Sequence, residues 1–390
     1  MPKRLRALLL KSLLAMACSL AVVAGAEAAL RLSNPKRAPG TVPLVSFCGD
    51  CPKVFGLNPK RPQVSPQGLR DRAYTPHPAD DVHRILVLGD SLAYGIGVQV
   101  DQTFPKQLEK VLHEGPGSFE VINSGVPGYT PYSELQYYLH EGRKLHPELV
   151  VISFCMNDVA NPALHWAGFA STRAMESLPA EAIPNPAYHE AHVLPQIHRQ
   201  RQELRSRAQQ GPLRSLVQGT ELYKRWHRLS TRPRRTVEHE GKDVPVFLVG
   251  EDSISIEVLT DPQSAEWRWV RSIYDQIIRA ARADGADVAI VVNPLAYQLD
   301  ESYPFLPQTH FAAYCEERSL PCLDLLPALR EKKAEKPFFG QVEDREDIWH
   351  YSPAGHRMVA EEIAAFLRRE RLTGVPGETP LRTPRLPPVE

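Results

Sequence analysis

Short aliphatic segments that alternate with amphipathic ones are the feature of this sequence that most restricts its fold. Between residues 84 and 158, three aliphatic segments predict buried strands, and the segments between them have the apolar spacing of helices. In chain order the five are RILVLG, TFPKQLEKVLHEG, FEVINSG, PYSELQYYLHEGRKL and ELVVISFCMND. Apolar strands separated by helices are typical of a parallel sheet covered on both faces. We therefore expect an α/β fold built around such a sheet.

The same alternation resumes later in the chain, which extends the predicted domain over residues 84–370. ADVAIVVNP and LPCLDLL predict two further strands, and SPAGHRMVAEEIAAFLRRE predicts a final helix with Ser352 as its N-cap. Residues 160–262 interrupt this order with a helical, arginine-rich segment and one possible strand, VPVFLVG. We interpret them as an insertion with a solvated charged helix face, and docking to an anionic membrane or polymer is the alternative.

The N-terminus has the pattern of an export signal. Four basic residues precede an uncharged run over residues 12–26, which ends in the small residues AGA. The basic residues are Lys3, Arg4, Arg6 and Lys11. Residues 1–30 are predicted to be either a cleaved signal peptide or a retained anchor, with membrane attachment through residues 7–30. In both cases we expect the folded domain outside the cytoplasm, as a periplasmic, secreted or outward-facing anchored protein.

The positions of the prolines and cysteines indicate how the segments flanking the domain are organised and which disulfides can form. Residues 31–83 are rich in proline and lack periodicity, which predicts an extended arm, and residues 371–390 predict a disordered tail. Two cysteine pairs are candidate disulfides in an oxidising compartment. They are Cys48 with Cys51 and Cys315 with Cys322.

The charge balance and the cysteine spacing exclude several classes of partner. Lys plus Arg and Asp plus Glu number 46 each, so no basic field is present to recruit nucleic acid. A zinc site at Cys48 and Cys51 would need two further ligands, and no second Cys pair or nearby His pair supplies them. We therefore predict no nucleic-acid partner, no metal and no cofactor.

Polar or glycine residues follow each of the first three predicted strands. The carboxyl ends of parallel strands meet at one edge of a sheet, where ligands bind. Ser91 follows the first strand, NSGVPG follows the second, and Asn157 with Asp158 follows the third. A hydroxyl nucleophile and hydrogen-bond donors for an oxyanion are the parts that acyl transfer requires at such an edge.

A base for this hydroxyl is predicted near the C-terminus. Asp347 and His350 are three residues apart in the segment just before the last helix, which we expect to be a loop. This spacing lets a carboxylate hold one imidazole nitrogen while the other faces the serine. His356, six residues further on, is expected to form only local contacts on the helix.

Taken together, these segments resemble the four sequence blocks of the SGNH hydrolases, also called GDSL esterases and lipases. The blocks are GDSL at 89–92, NSGVPG after the second strand, ND at 157–158 and DIWH before the last helix. The resemblance covers residues 84–160 and 285–368, in the family's order and spacing. It implies a three-layer α/β/α flavodoxin-like fold with a helical insertion.

The resemblance also implies a role for each matching residue. Ser91 is implied as the nucleophile, His350 as the general base and Asp347 as the partner that orients it. The oxyanion hole is implied to consist of the backbone N–H groups of Ser91 and Gly128 and the side-chain amide of Asn157.

Two positions in these blocks leave questions open. Gly128 is preferred as the glycine donor because it lies five residues after Asn123, and Gly125 is the fallback. Cys155 stands where the family usually has glycine, two residues before Asn157, which leaves the size of the substrate open.

The expected function is therefore that of an extracytoplasmic serine esterase that cleaves acyl or acetyl esters through an acyl-enzyme. An O-acyltransferase acting on an envelope or extracellular glycan would use the same residues, and a catalytically inactive binding module is the less favoured alternative. The first block is one residue away from a G-x-S-x-G elbow, but in that fold the serine follows a later strand. No Gly-Lys-Ser or Gly-Lys-Thr follows the block, which disfavours a phosphate-binding loop.

Overall fold

The computed structural model describes residues 21–29, 42–47, 55–160, 220, 222, 236–245, 248–249, 252–253, 259–342 and 345–374. Most of the predicted leader and insertion lies outside these residues, as do Cys48, Cys51 and residues 375–390 of the predicted tail. The chain divides into two units, Met1–Val42 with Gln200–Arg235 and Pro43–Arg199 with Thr236–Glu390.

In the first unit, residues 21–29 form a helix whose Glu27 carboxylate accepts a hydrogen bond from the Leu222 N–H at 3.0 Å. Across the described part of the chain, no helix combines the length and the apolar character that a membrane span requires. The predicted leader and its membrane attachment therefore stay predictions.

The second unit holds all the strands of the described residues and eight of their α-helices. In chain order its strands are β1 (Val45–Phe47), β2 (Phe55–Leu57), β3 (Val82–Leu88), β4 (Ser118–Asn123), β5 (Leu149–Phe154), β6 (Thr236–His239), β7 (Lys242–Pro245), β8 (Leu248–Val249), β9 (Asp252–Ser253), β10 (Asp287–Val292), β11 (Cys322–Asp324), β12 (Phe338–Val342) and β13 (Arg345–Tyr351). Its α-helices are α1 (Ser91–Tyr94), α2 (Phe104–His113), α3 (Pro131–His140), α4 (Asn157–Ala160), α5 (Ala265–Ala283), α6 (Gln308–Glu317), α7 (Leu326–Glu331) and α8 (Pro353–Arg369).

Five strands form one parallel sheet in the order β11, β10, β5, β3, β4. All six residues of the central strand β5 are buried, which explains why its sequence shows no polar alternation. The first three predicted strands, the ADVAIVVNP strand and the predicted helices around them are all present, and LPCLDLL contributes the shorter strand β11. The expected parallel α/β sheet is confirmed.

Side chains from the two faces of the sheet enter two separate apolar clusters. Ile85 and Val87 pack with residues of α2 and α8, whereas Leu86 and Leu88 pack with residues of α3 and α5. Successive strand residues point to opposite faces, so each cluster lies between the sheet and one helix layer. The result is the three-layer α/β/α arrangement that the sequence predicted.

The segment before the final helix differs from its predicted form. Asp347 and His350 lie in strand β13, which pairs antiparallel with β12 outside the main sheet, and not in a loop. The charged residues at the start of REDIWHY conceal this strand in the sequence. Ser352 caps helix α8 as predicted, because its Oγ accepts the Gly355 N–H at 3.1 Å.

Two further features connect peripheral segments to the domain. Within the predicted arm, Phe55, Leu57 and Leu69 are buried in the cluster on the α3 side of the sheet. The predicted disulfide between Cys315 and Cys322 is present and links helix α6 to strand β11.

Candidate active site

The turn that carries Ser91 follows β3 at the carboxyl edge of the sheet. Gly89 lacks a side chain where a Cβ would lie 2.8 Å from the Ala93 Cβ and 3.1 Å from the Ser153 Cβ. The Asp90 side chain then caps helix α1, since its Oδ1 accepts the Leu92 N–H at 2.9 Å. Close packing and capping together fix Ser91 at the first position of the helix.

The side chains of Ser91, His350 and Asp347 form one chain of hydrogen bonds. His350 Nε2 lies 2.9 Å from Ser91 Oγ, although the two residues are 259 positions apart. On the other side of the ring, His350 Nδ1 lies 2.8 Å from Asp347 Oδ2. An ionised carboxylate can only accept hydrogen bonds, so Nδ1 carries the proton and Nε2 offers its lone pair to the serine hydroxyl.

The Asp347 carboxylate is held by its backbone neighbours as well as by the imidazole. Its Oδ1 accepts the N–H groups of Trp349 at 3.0 Å and His350 at 2.9 Å. Burial by itself would raise the pKa of Asp347, but these hydrogen bonds and the His350 ring outweigh burial and lower the pKa below its ordinary value. Asp347 is therefore ionised at neutral pH and can accept the hydrogen bond from His350 Nδ1.

A buried polar network fixes the strand that carries His350. The Tyr351 hydroxyl donates to Asn293 Oδ1 at 3.0 Å, and the Asn293 amide donates to the Phe154 carbonyl at 2.7 Å and to Ser153 Oγ at 2.9 Å. These bonds join β13 to the ends of β5 and β10. Neither Tyr351 nor Asn293 was predicted from the sequence as a site residue.

Asn157 lies next to the serine turn through its contact with Asp90. Its Nδ2 donates to Asp90 Oδ2 at 2.7 Å, while that same oxygen is 3.4 Å from Ser91 Oγ. His350 is therefore the closer acceptor for the Ser91 hydroxyl. Asp90 was not among the predicted site residues, although an aspartate directly before a short helix is a recognisable cap.

The two glycines after β4 differ in what their N–H groups do. The Gly125 N–H donates to Asn123 Oδ1 at 3.0 Å, and a Cβ at this position would overlap the backbone nitrogen of Tyr94. Among the described residues, the Gly128 N–H has no hydrogen-bond partner, and its φ of 81° is one that glycine adopts readily. Of the two, Gly128 is thus the one with a donor available to a ligand.

The remaining residues considered from the sequence are structural. His356 Nδ1 accepts the Phe104 N–H at 3.1 Å, and burial, with the charges of Arg70 and His350, lowers the pKa of His356 to about 3. His356 is therefore a neutral residue in the packing between α2 and α8, and its bond to Phe104 reaches beyond the local contacts expected from the sequence. Cys155 is a buried free thiol. Within the described residues, no cluster of three or more His, Cys, Asp or Glu side chains is arranged to hold a metal ion.

Comparison with known proteins gives one family match. The model of the GDSL-like lipase/acylhydrolase family matches residues 87–358. No curated protein matches the chain.

Several solved structures are similar to the chain. A crystal structure of TesA is 14% identical over 74% of this chain and 99% of its own, with a TM-score of 0.38. The acetyl xylan esterase AlAXEase is 13% identical over 72% of this chain and 98% of its own, with a TM-score of 0.37. The lipase/acylhydrolase from Enterococcus faecalis is 13% identical over 74% of this chain and 96% of its own, with a TM-score of 0.37.

Proposed function

Because this chain belongs to the GDSL-like lipase/acylhydrolase family and is a hydrolase of ester bonds, we propose that Ser91, His350 and Asp347 cleave carboxylic esters through an acyl-enzyme. The observation that carries this proposal is the hydrogen-bonded chain from Ser91 Oγ through His350 to Asp347. Side chains 259 positions apart meet at 2.9 Å in an orientation that permits proton transfer.

The first half of the reaction forms the acyl-enzyme. His350 Nε2 takes the proton of the Ser91 hydroxyl as Oγ attacks the ester carbonyl carbon. The carbonyl oxygen becomes an oxyanion, which accepts hydrogen bonds from the N–H groups of Ser91 and Gly128 and from the Asn157 amide. As the intermediate collapses, His350 gives its proton to the departing alcohol oxygen, and the acyl group stays on Oγ.

The second half releases the acid. His350 Nε2 takes a proton from a water molecule, whose oxygen attacks the acyl carbon. The same donors stabilise the second oxyanion, and His350 returns the proton to Ser91 Oγ as the acid leaves. The Asp347 carboxylate stabilises the imidazolium in both halves and does not itself take up a proton.

Hydrolysis of short and long p-nitrophenyl esters tests the proposal. We expect Ser91→Ala and His350→Ala to lower kcat/KM by roughly 10³-fold or more, since removing a member of such a triad removes the covalent route. Ser118→Ala is the matched control, because Ser118 begins β4 and pairs with Val82 at the amino end of β3, whereas Ser91 follows the carboxyl end of β3. Equal release of p-nitrophenol by the wild type and Ser91→Ala would end the proposal.

The same assay distinguishes hydrolysis from the alternatives. A wild type that is slow with water and is accelerated by an acceptor glycan would indicate an O-acyltransferase, with the sugar hydroxyl in place of water. A wild type that binds an acylated glycan without turnover would indicate a binding module. The three alternatives use the same site residues, so they are distinguished only by whether the acyl group goes to water, goes to the glycan or stays on the substrate.

We also propose that the domain works outside the cytoplasm. The support is the basic start of the chain followed by the uncharged run over residues 12–26. Mass spectrometry of the exported chain should find a new N-terminus at Glu27 if the leader is cleaved, and an intact Met1 in the membrane fraction if it is an anchor. A full-length chain recovered only from the cytosol would contradict both.

A further inference from the structure

We propose that Arg70 is a positioning residue for the Ser91 nucleophile, an inference that rests on the proposed function. The Arg70 guanidinium donates three short hydrogen bonds to backbone carbonyls of the turn that follows Ser91. Its Nη1 donates to Tyr94 O and Gly95 O, and its Nη2 donates to Val98 O, all at 2.6 Å. Arg70 precedes the part of the chain that matches the family model, which starts at residue 87.

The guanidinium is buried, and its partners in the described part of the chain are neutral carbonyls. Arg70 is only 4% exposed, and among the described residues no carboxylate pairs with it. Its carbon Cζ lies 4.3 Å from the centre of the Tyr94 ring. Burial lowers the pKa of Arg70, as does the charge of Arg61, although the Tyr94 side chain opposes this shift. A buried charge is costly unless its donors are used; here both terminal nitrogens donate to carbonyls of one turn, while the buried Nε has no partner among the described residues.

That turn supports the serine directly. Helix α1 has only four residues, so it cannot be stable on its own hydrogen bonds. The Ser91 carbonyl accepts the N–H groups of Gly95 at 3.0 Å and Ile96 at 3.2 Å, and Gly95 ends the helix in the left-handed region at φ 80°. The carbonyls of Tyr94 and Gly95 lie past the last helical bond, and Arg70 supplies the donors that the helix end lacks.

The other side of the same turn contacts the hairpin that holds the base. A Cβ on Gly97 would lie 2.7 Å from Phe339 Cε2, so the backbone at Gly97 lies against this ring. Phe339 belongs to β12, and β12 pairs with β13, the strand of Asp347 and His350. Arg70 therefore fixes a turn that touches the serine helix and the histidine hairpin together.

Loss of these bonds would act on the distance between Ser91 Oγ and His350 Nε2. The Tyr94 and Val98 carbonyls would lose their donors and the Gly95 carbonyl would keep only the Val98 N–H at 3.4 Å, so the turn would have to move to find new donors. A displacement of about 1 Å between reacting groups can lower a rate by about 10²-fold. The chemical step, and not the binding of the ester, is therefore the quantity that Arg70 controls.

Substitution of Arg70 tests this inference against a neighbour in the same segment. We expect Arg70→Ala to lower kcat by roughly 10 to 100-fold with KM changed less than about threefold, because the triad itself is intact. Arg72→Ala is the matched control: the Arg72 side chain is 47% exposed and pairs with Glu109 at 2.8 Å, away from the serine turn. It should retain wild-type kcat.

Chemical rescue separates positioning from a general loss of folding. Millimolar methylguanidinium should restore part of the kcat of Arg70→Ala, and a merely structural role in the arm would give no such recovery. Arg70→Lys keeps the charge but cannot span three carbonyls, so it should show an intermediate kcat at a melting temperature near that of the wild type. If Arg70→Ala does not fold, the kcat of Arg70→Lys decides the question.

The outcomes distinguish this inference from the proposed function. If Ser91→Ala is inactive while folded Arg70→Ala and Arg70→Lys match Arg72→Ala in kcat, the inference is wrong and the esterase proposal stands. If Ser91→Ala retains the full ester hydrolysis of the wild type, the proposed function fails first and Arg70 has no nucleophile to position.

Discussion

Replacing Asp90 by asparagine separates two roles that this carboxylate combines. Its Oδ1 caps helix α1 through the Leu92 N–H at 2.9 Å, and its Oδ2 accepts the Asn157 amide at 2.7 Å. Asparagine caps helices about as well as aspartate, so the substituted amide keeps its oxygen on Leu92. Its NH₂ group then faces the NH₂ group of Asn157, and two donors cannot bond to each other.

The size of the effect follows from the geometry of Asn157. Its Nδ2 has two N–H bonds, and holding one of them on Asp90 fixes the direction of the other. In Asp90→Asn the Asn157 amide turns so that its Oδ1, which has no partner among the described residues, meets the new NH₂ group. The oxyanion of the proposed reaction then loses one donor, and such a loss typically lowers kcat by about 10² to 10³-fold, or about 2.7–4 kcal/mol.

A double-mutant cycle measures whether Asp90 acts through Asn157. We expect Asp90→Asn and Asn157→Ala to lower kcat by similar factors on p-nitrophenyl acetate, and the double variant to lose no more than either one. KM should change little, and the free energy of unfolding should fall by at most about 1–3 kcal/mol, since one buried hydrogen bond is disturbed. Additive losses in the double variant, or a near wild-type kcat for Asp90→Asn, would refute the reasoning.

Two further substitutions probe other carboxyl groups. Asp347→Asn should lower kcat by about 10⁴-fold at saturating ester, because two backbone N–H groups keep the amide oxygen and its NH₂ then forces the His350 proton onto Nε2; unchanged turnover would contradict this tautomer argument. The buried Glu134 has oxygens without partners among the described residues, and burial, with the charges of Asp158 and Asp90, raises its pKa well above the ordinary value. The unfolded chain loses this proton first, so stability should fall by about 1.4 kcal/mol per pH unit above about pH 4.3 until the folded group ionises. Urea unfolding from pH 5 to 8 measures this slope, and in Glu134→Gln the free energy of unfolding should fall less steeply with pH than in the wild type, by about 1.4 kcal/mol per pH unit. If the free energies of unfolding of the two proteins change in parallel with pH, Glu134 does not hold a proton in the folded state.

The central sheet was predictable because its strands are buried on both faces. Every residue of β5 is buried, so the segment is apolar throughout and its type is evident from the sequence. The β12 and β13 hairpin was missed because only some of its residues face the core. Ile348 and Tyr351 are buried, whereas Trp349 and His350 between them are partly exposed, and this mixture lacks the strict alternation of a surface strand.

The candidate site was predictable where its members share a short segment or a strand end. Asp347 and His350 are three residues apart, and Ser91 directly follows a strand and its tight turn. Arg70 gave no such signal, since its partners are backbone carbonyls 24 to 28 positions away. Every residue has a backbone carbonyl, so the partners of a side chain that binds carbonyls can be of any residue type. No sequence pattern therefore marks such a contact.

The wide separation of Ser91 and His350 along the chain has a consequence for biosynthesis. Synthesis proceeds from the N-terminus, so the serine helix emerges from the ribosome some 259 residues before the imidazole that must accept its proton. Under the proposed mechanism, a chain that ends before His350 lacks the base that activates the Ser91 hydroxyl. In the proposed reaction, turnover therefore begins only once the β12 and β13 hairpin has placed His350 beside Ser91.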